Sequence, residues 1–342
     1  MKRPWLAPLV PLYATGVAWR ARRFASGGRS IQRLKWPVIS IGNLSTGGAG
    51  KTPLAIALAR LLTQRGIHVD VLSRGYGRGS AVPARVDVQG EAELFGDEPL
   101  LIARAAGVPV YVAPQRYDAG LIAEHDAGKN HPGPHDSPGN QNLRAHILDD
   151  GFQHRQLHRD VDVLLLNRED LNDTLLPAGN LREGLHAAQR ASVLSIPADD
   201  PALEDELRKR GWGGPVWRLR RRMTIPEFDG LVFAFCGIAR PTQFFAGLEA
   251  GGLKLAACKS FRDHYNYTEH VVEWLVEQAR AFKAVALLTT EKDAVRLGNL
   301  ASAFPPDLPL KTSGLTVEIE NESAALEWLL GQLRSVSARP SL

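Results

Sequence analysis

Apolar positions along the chain switch repeatedly between two periods. Val38-Ile39-Ser40-Ile41 is a short β-branched run and reads as a strand. A glycine-rich stretch follows over residues 42–50, and then Leu54, Ile56, Ala57, Leu58, Leu61 and Leu62 recur at helical spacing. His68 to Leu72 reads as the next strand. Further strands are expected over 109–113, 145–148, 161–166 and 192–196, with helices over 96–106 and 115–125. This alternation predicts an α/β fold with a mostly parallel sheet covered on both faces.

A second αβ series starts near Leu231. Strands are expected over 231–236, 255–257 and 285–289, and helices over 241–250, 268–282 and 324–333. The polar and basic residues from Leu203 to Arg222 read as the connection between the two series. Residues 127–142 show no apolar period and read as a surface loop, whose two histidines fit a solvated insertion better than a metal site.

Composition narrows the class. The 342 residues are 44% hydrophobic and 23% charged, which argues against disorder and against a polytopic membrane protein. The length suits about two domains. Cys236 and Cys258 are too few for a disulfide framework or a four-cysteine zinc site.

Charge changes the picture more. Of 41 Lys and Arg, eight fall in residues 1–35, which hold none of the 37 Asp and Glu; the rest of the chain is net negative. A general nucleic-acid binder would not confine its basic excess to one end, so a local anionic partner is expected there, a membrane surface first. The same segment carries Trp5, Leu6, Leu9, Val10, Leu12, Tyr13, Val17 and Trp19, broken by Pro4, Pro8 and Pro11. It is too short for a spanning helix. Three readings remain: an interfacial anchor, a helix packed on the protein's own core, or a cleaved signal. The organisation expected is a basic amphipathic segment over 1–35, a core over 36–222 and a smaller α/β unit over 223–342.

The chemistry concentrates in loops after strands. Ser45-Thr46-Gly47-Gly48-Ala49-Gly50-Lys51-Thr52 lies between a strand and a helix, the context of a phosphate-binding P-loop. Glycines let backbone N–H groups cradle phosphate oxygens, and the helix N-terminus adds partial positive charge. Lys51 would reach the phosphates and Thr52 would bind Mg²⁺. Ser45 stands where the strict motif has glycine. Such a loop implies nucleotide binding but not its use.

Asp149 and Asp150 follow an apolar strand, where acids lie at the ligand crevice, and one of them would meet Mg²⁺. Asp97 and Glu98 precede an apolar helix; they either cap it, or Asp97 orients or deprotonates an attacking hydroxyl. His264, in Arg262-Asp263-His264-Tyr265, follows a strand of the second series. Arg182, in a loop entering a helix, suits a phosphate. Ser73-Arg74-Gly75-Tyr76-Gly77-Arg78 suits close approach to an anion. Thr290-Glu291-Lys292-Asp293 reads as a helix start, with Thr290 as N-cap.

Together these blocks resemble the tetraacyldisaccharide 4'-kinase (lipid A 4'-kinase) family. Ile41-Gly42-Asn43-Leu44, Gly47 to Pro53, Ser73 to Gly77, Gly96-Asp97-Glu98-Pro99, Asp149 to His154, Leu176 to Gly179, Leu181-Arg182-Glu183, Gly237 to Pro241, Asp263-His264 and Thr290 to Asp293 follow in the family's order. The resemblance implies transfer of the ATP γ-phosphate to the 4'-hydroxyl of a tetraacylated disaccharide 1-phosphate, giving lipid IVA. It implies ATP and Mg²⁺, a peripheral enzyme on the cytoplasmic face of the inner membrane, and a lipid A disaccharide precursor as partner. Carried onto this chain, Ser45 to Thr52 would bind ATP. Thr52, Glu98 and Asp149 would lie nearest the metal. Asp97, supported by His264, would be the base, and Lys51, Asp150 and Arg182 would complete the active site. A switch or assembly ATPase is the competing class, since the P-loop serves both. Oligomeric state stays open.

Overall fold

The computed structural model describes residues 3–28, 30–48, 50–130 and 143–337. After a 3-10 turn over Pro4–Leu9, the chain forms α1 (Val10–Ala25), β1 (Val38–Asn43), α2 (Lys51–Gln64), β2 (His68–Ser73), β3 (Ala84–Arg85), α3 (Ala92–Phe95) and α4 (Asp97–Ala106). Next come β4 (Val110–Val112), α5 (Arg116–Asn130), β5 (Arg144–Asp149), β6 (Val161–Leu165), β7 (Val193–Pro197), α6 (Pro201–Lys209) and β8 (Val216–Thr224). The second series is β9 (Val232–Cys236), α7 (Pro241–Ala250), β10 (Leu255–Ser260), α8 (Glu269–Ala281), β11 (Ala286–Thr290), α9 (Glu291–Leu297), β12 (Leu310–Ile319) and α10 (Glu322–Ser337).

The described strands form one sheet in the order β10-β9-β11-β12-β8-β7-β6-β1-β5-β2-β4-β3. Pairing is parallel except between β12 and β8 and between β3 and β4. The expected mixed α/β fold with a large, mostly parallel sheet is therefore present. β1 sits between β5 and β6. Its carboxyl end, with those of β5 and β2, forms the crevice where ligands gather in such sheets.

The two series are joined by strand pairing. Six residue pairs link β8 to β12, from Gly314 with Thr224 to Ile319 with Leu219. The boundary expected at residues 222/223 falls inside β8. One core also spans both series: Leu54, Leu58 and Leu62 of α2 share it with Val317 and Ile319 of β12 and with Leu326, Leu329, Leu330 and Leu333 of α10.

Two expectations need correction. The stretch from Leu203 to Arg222 is not a bare connection; it holds most of α6 and β8. In β8, buried Trp217 and Leu219 alternate with Arg218, Arg220 and Arg222, which pair with Glu204, Glu320 and Glu318. Ion pairing makes a basic run compatible with a strand whose other face is apolar. The loop expected over 127–142 begins later, because α5 continues to Asn130. Residues 131–142, with both histidines of that stretch, lie outside the described residues.

Among the residues of 3–28 whose burial is described, none is buried. Trp5, Leu9, Leu12 and Trp19 are exposed on this segment. It is tethered by Arg3 N donating to Ala178 O at 2.7 Å and by Tyr13 Oη donating to Arg182 O at 3.1 Å. Among the described residues, no helix is long and apolar enough to cross a membrane.

Candidate active site

The turn between β1 and α2 is shaped by glycine. Gly47 and Gly50 have φ of +95° and +91°, a region that disfavours side chains. Gly42 lies against Phe152 so closely that a Cβ there would collide with it. Asn43 organises the turn: its amide donates to Ser45 O at 2.7 Å, and its Oδ1 accepts from Lys51 Nζ at 3.1 Å. Thr46 N donates to Asn180 O at 2.8 Å, and Ser45 bridges to Leu181. Ser45 is buried, and its hydroxyl is hydrogen-bonded to the Asp170 carboxylate. A strict glycine would leave buried Asp170 without that partner. Gly50 caps α2, so Lys51 and Thr52 open its first turn. A glycine turn, a helix N-terminus with no side-chain cap and a lysine together can hold a polyphosphate. Ala49 lies outside the described residues.

β5 ends on Asp149, and Asp150 follows with φ of +50°. Asp150 accepts from Arg182 Nη1 at 3.0 Å and lies 3.6 Å from Lys51 Nζ. Burial opposes ionisation of Asp150, but Lys51 and Arg182 outweigh it and hold its carboxyl below the usual range. Arg182 is fixed through its backbone, whose N–H donates to Leu44 O at 2.7 Å. Asp149 is different. It is buried, and its Oδ1 has no hydrogen-bond partner. Burial, then Glu98 and Asp150, push its carboxyl up to about 7, against a partial offset from Lys51 and Arg116. His154 is pushed down to about 4, by burial and then by Arg116, Arg159 and Arg74, so it is neutral at pH 7.

Across the crevice, Gly96 (φ +91°) packs on the backbone of Gly75 and starts α4, which presents Asp97 and Glu98 in its first turn. Asp97 accepts from Arg296 Nε at 2.7 Å and lies 2.6 Å from its Nη2. His264 Nδ1 is 3.1 Å away and Lys292 Nζ is 3.9 Å away. Burial opposes ionisation of Asp97, yet His264, Lys292 and Arg296 hold its carboxyl well below the ordinary range. Glu98 takes Lys292 Nζ at 2.7 Å. His264 has φ of +56° and its ring lies 5.3 Å from that of Tyr76. Asp293 holds the cluster from below, accepting from both Gly237 N and Tyr267 Oη at 3.1 Å. Its backbone N–H donates to Thr290 Oγ1, the expected N-cap of α9.

Two clusters thus flank Asp149, one around Lys51, Asp150 and Arg182, the other around Asp97, Glu98 and His264. Among the described residues, no group of three or more His, Cys, Asp and Glu side chains is arranged to hold a metal. Mg²⁺ at nucleotide sites needs only one or two carboxylates, with water and phosphate oxygens filling the rest. The orphaned Asp149 oxygen beside the glycine turn fits that requirement.

A family model described as tetraacyldisaccharide-1-P 4'-kinase matches residues 2–334. The chain belongs to this family. A tetraacyldisaccharide 4'-kinase of Koribacter versatilis is 39% identical, over 94% of this chain and 97% of that protein. One of Aquifex aeolicus is 36% identical, over 91% of this chain and 95% of its own length. The crystal structure of an "apo" form of LpxK from Aquifex aeolicus in complex with ATP superposes with a TM-score of 0.72 at 32% identity, covering 96% of this chain and 98% of that one.

Within this family frame, three residues stand in the site that sequence reasoning did not place there: Asn43, Lys292 and Arg296. Asn43 and Lys292 lie in motif blocks, but nothing in the motifs says that they face Lys51 and Glu98. Lys292 and Arg296 are spaced i, i+4 and so share a face of α9. That spacing behind a well-defined N-cap was the available signal.

Proposed function

We propose that this chain transfers the γ-phosphate of ATP to the 4'-hydroxyl of tetraacyldisaccharide 1-phosphate, forming lipid IVA. The observation that carries the reading is the position of Asp149, a buried carboxylate with an orphaned oxygen between the Lys51 cluster and the Asp97 cluster. In this reading Ser45 to Thr52 bind the nucleotide, and Lys51 neutralises its terminal phosphates. Thr52 and Asp149 would hold Mg²⁺, which would supply positive charge for the phosphoryl group. Glu98 is the third metal candidate and would first release Lys292.

The acceptor hydroxyl oxygen attacks Pγ, the bond from Pγ to the β–γ bridging oxygen breaks, and ADP leaves. Asp97 accepts a hydrogen bond from the hydroxyl and takes its proton. A carboxylate held well below its usual pKa is a weak base. It suffices where the transition state is loose and the hydroxyl stays neutral until late. His264 and Arg296 then fix the direction of the Asp97 lone pairs and hold its charge. Arg182 and Asp150 position Lys51.

Membrane association follows from chemistry of the acceptor, whose acyl chains stay in lipid. The exposed Trp5, Leu9, Leu12 and Trp19, with Arg20, Arg22 and Arg23 nearby, suit an interfacial anchor on the cytoplasmic face of the inner membrane. We retain the division into an anchor (1–35), a nucleotide core (36–222) and a smaller unit (223–342) as part of this proposal, although the units share a sheet.

The test is a kinase assay with radiolabelled ATP and a disaccharide 1-phosphate acceptor in mixed micelles. Labelled lipid is expected. Slow ATP hydrolysis with no labelled lipid at any detergent level would favour a switch ATPase instead. For the anchor, deletion of residues 1–23 is expected to weaken liposome binding and raise the KM for lipid; no change in either would remove the membrane reading.

A further inference from the structure

β8 carries five consecutive residues, Arg218 to Arg222, of which four are arginine. Strand alternation sorts them. Arg218, Arg220 and Arg222 share one face and pair with Glu204, Glu320 and Glu318. Arg221 shares the other face with Trp217 and Leu219, which are buried in the core that includes α2. That face ends above the N-terminus of α2. A Cβ on Gly50 would lie 3.3 Å from Arg221 Nη2 and 3.5 Å from its Cζ, so the guanidinium covers the glycine that caps α2.

The β9–α7 turn approaches the same loop. A Cβ on Gly47 would meet Ala239 Cβ at 3.6 Å. The next residue, Arg240, brings a second guanidinium, tied to Glu169 at 3.4 Å. Arg221 is exposed at the crevice, yet desolvation first and then the like charge of Arg240 disfavour its charged form; Asp199 and Glu169 are the acids that offset them. Two like charges crowded over a helix N-terminus repel in the free protein. An anion between them and the glycine turn relieves that repulsion.

We infer that Arg221 is a phosphate-binding residue, supplied by the strand that joins the two αβ series, and that it contacts the polyphosphate of the bound nucleotide from the side opposite Lys51. This rests on reading Ser45 to Thr52 as the phosphate loop. It gives the β8–β12 junction a role in the site: the strand that joins the two series carries Arg221 to the phosphate loop. Arginine suits this task because its planar fork offers several donors to phosphate oxygens.

The experiment is binding of a fluorescent MANT-ATP probe with Mg²⁺ to full-length wild type, Arg221→Ala, Arg221→Lys and Arg220→Ala. A hydrogen bond to a charged group corresponds to at least about tenfold in affinity. Arg221→Ala is therefore expected to bind the probe at least about tenfold more weakly, Arg221→Lys to fall in between, and Arg220→Ala, on the opposite face, to match wild type. Added guanidinium at millimolar concentration should restore part of the Arg221→Ala loss, which a purely structural role would not allow. Binding by folded Arg221→Ala within twofold of wild type overturns the inference, as does an equal loss in Arg220→Ala. If Arg221→Ala does not fold, Arg221→Lys with unchanged affinity and no loss of turnover overturns it alike. Failure of the wild type to bind the probe would instead overturn the phosphate-loop reading.

Discussion

Asp97 and Asp149 are the same residue type, similarly buried, on two sides of one crevice, and their surroundings are opposite. Asp97 meets two full cations and a histidine within 4 Å. Asp149 has no ion pair among the described residues, keeps an oxygen without a hydrogen bond, and faces Glu98 and Asp150. Burial alone would push both carboxyls up; neighbouring charge reverses the direction for one of them. The difference supports the roles proposed for them. A carboxylate that already holds its cations can present a lone pair to a neutral hydroxyl, whereas one whose cations only partly offset its burial and acidic neighbours would be completed by a divalent ion. Perturbation of a pKa at a functional site is thus informative through its cause more than its size.

The largest effect expected on turnover is at Asp149. Asp149→Asn removes the charge that would fix the metal and should lower kcat by roughly 10²–10³-fold, the scale of one strong electrostatic contact in a transition state. Assay at rising Mg²⁺ checks the assignment, because a metal-binding defect is partly overcome at high Mg²⁺ and a folding defect is not. Asp97→Ala should lower kcat by at least about 10²-fold, the scale of general-base catalysis, with MANT-ATP affinity unchanged. Unchanged kcat would take Asp97 out of the mechanism. Since His264, Lys292 and Arg296 keep Asp97 ionised far below neutral pH, its own titration should not appear as an acid limb near pH 4–5 in kcat.

Much of this was legible in the sequence, and the limits have physical causes. Every strand carrying a motif read correctly, because parallel strands buried on both faces give continuous apolar runs such as Val38 to Ile41. β8 did not, since its solvent face is arginine and its pairing partner, β12, lies about a hundred residues away. Motif spacing marked Lys51, Asp149 and Asp97 as chemically suspect. It did not reveal that Asp97 is gripped by Arg296, because a contact across 199 positions leaves no local period. Nor did it show Arg221 over Gly50, which needs the sheet order to be known.

A third buried group lies away from the crevice and extends the contrast. His146, on β5, has Nδ1 at 2.6 Å from Asp70 and Nε2 at 3.5 Å from Glu124, with Trp36 stacked at 5.1 Å. Burial lowers its pKa, but Asp70 and Glu124 outweigh it and raise it from 6.5 to about 9. A raised histidine pKa stabilises the fold fully below the unfolded value and loses that contribution as pH rises through the folded value. Urea unfolding should therefore show a smaller stability at pH 9 than at pH 6.5. His146→Gln should flatten that dependence; an unchanged slope would exclude His146 as its source. Other groups titrate in the same window, so the comparison with His146→Gln isolates its share.

The contrast between the two aspartates is tested most directly by unfolding Asp149→Asn and Asp97→Asn side by side, without nucleotide and with EDTA, at pH 7.5. In Asp149 the raised pKa makes the ionised carboxylate a liability, lost stability growing as pH rises from the unfolded value of 3.8 through about 7. The neutral amide should relieve it and raise Tm. In Asp97 the same change strands buried Arg296 and should cost about 3–5 kcal/mol, the scale of breaking a buried ion pair, and lower Tm. Opposite shifts, with kcat reduced in both variants, are the predicted result. A fall in Tm for both, or no change in either, would contradict the view that one aspartate is complete in the free protein and the other is waiting for a cation.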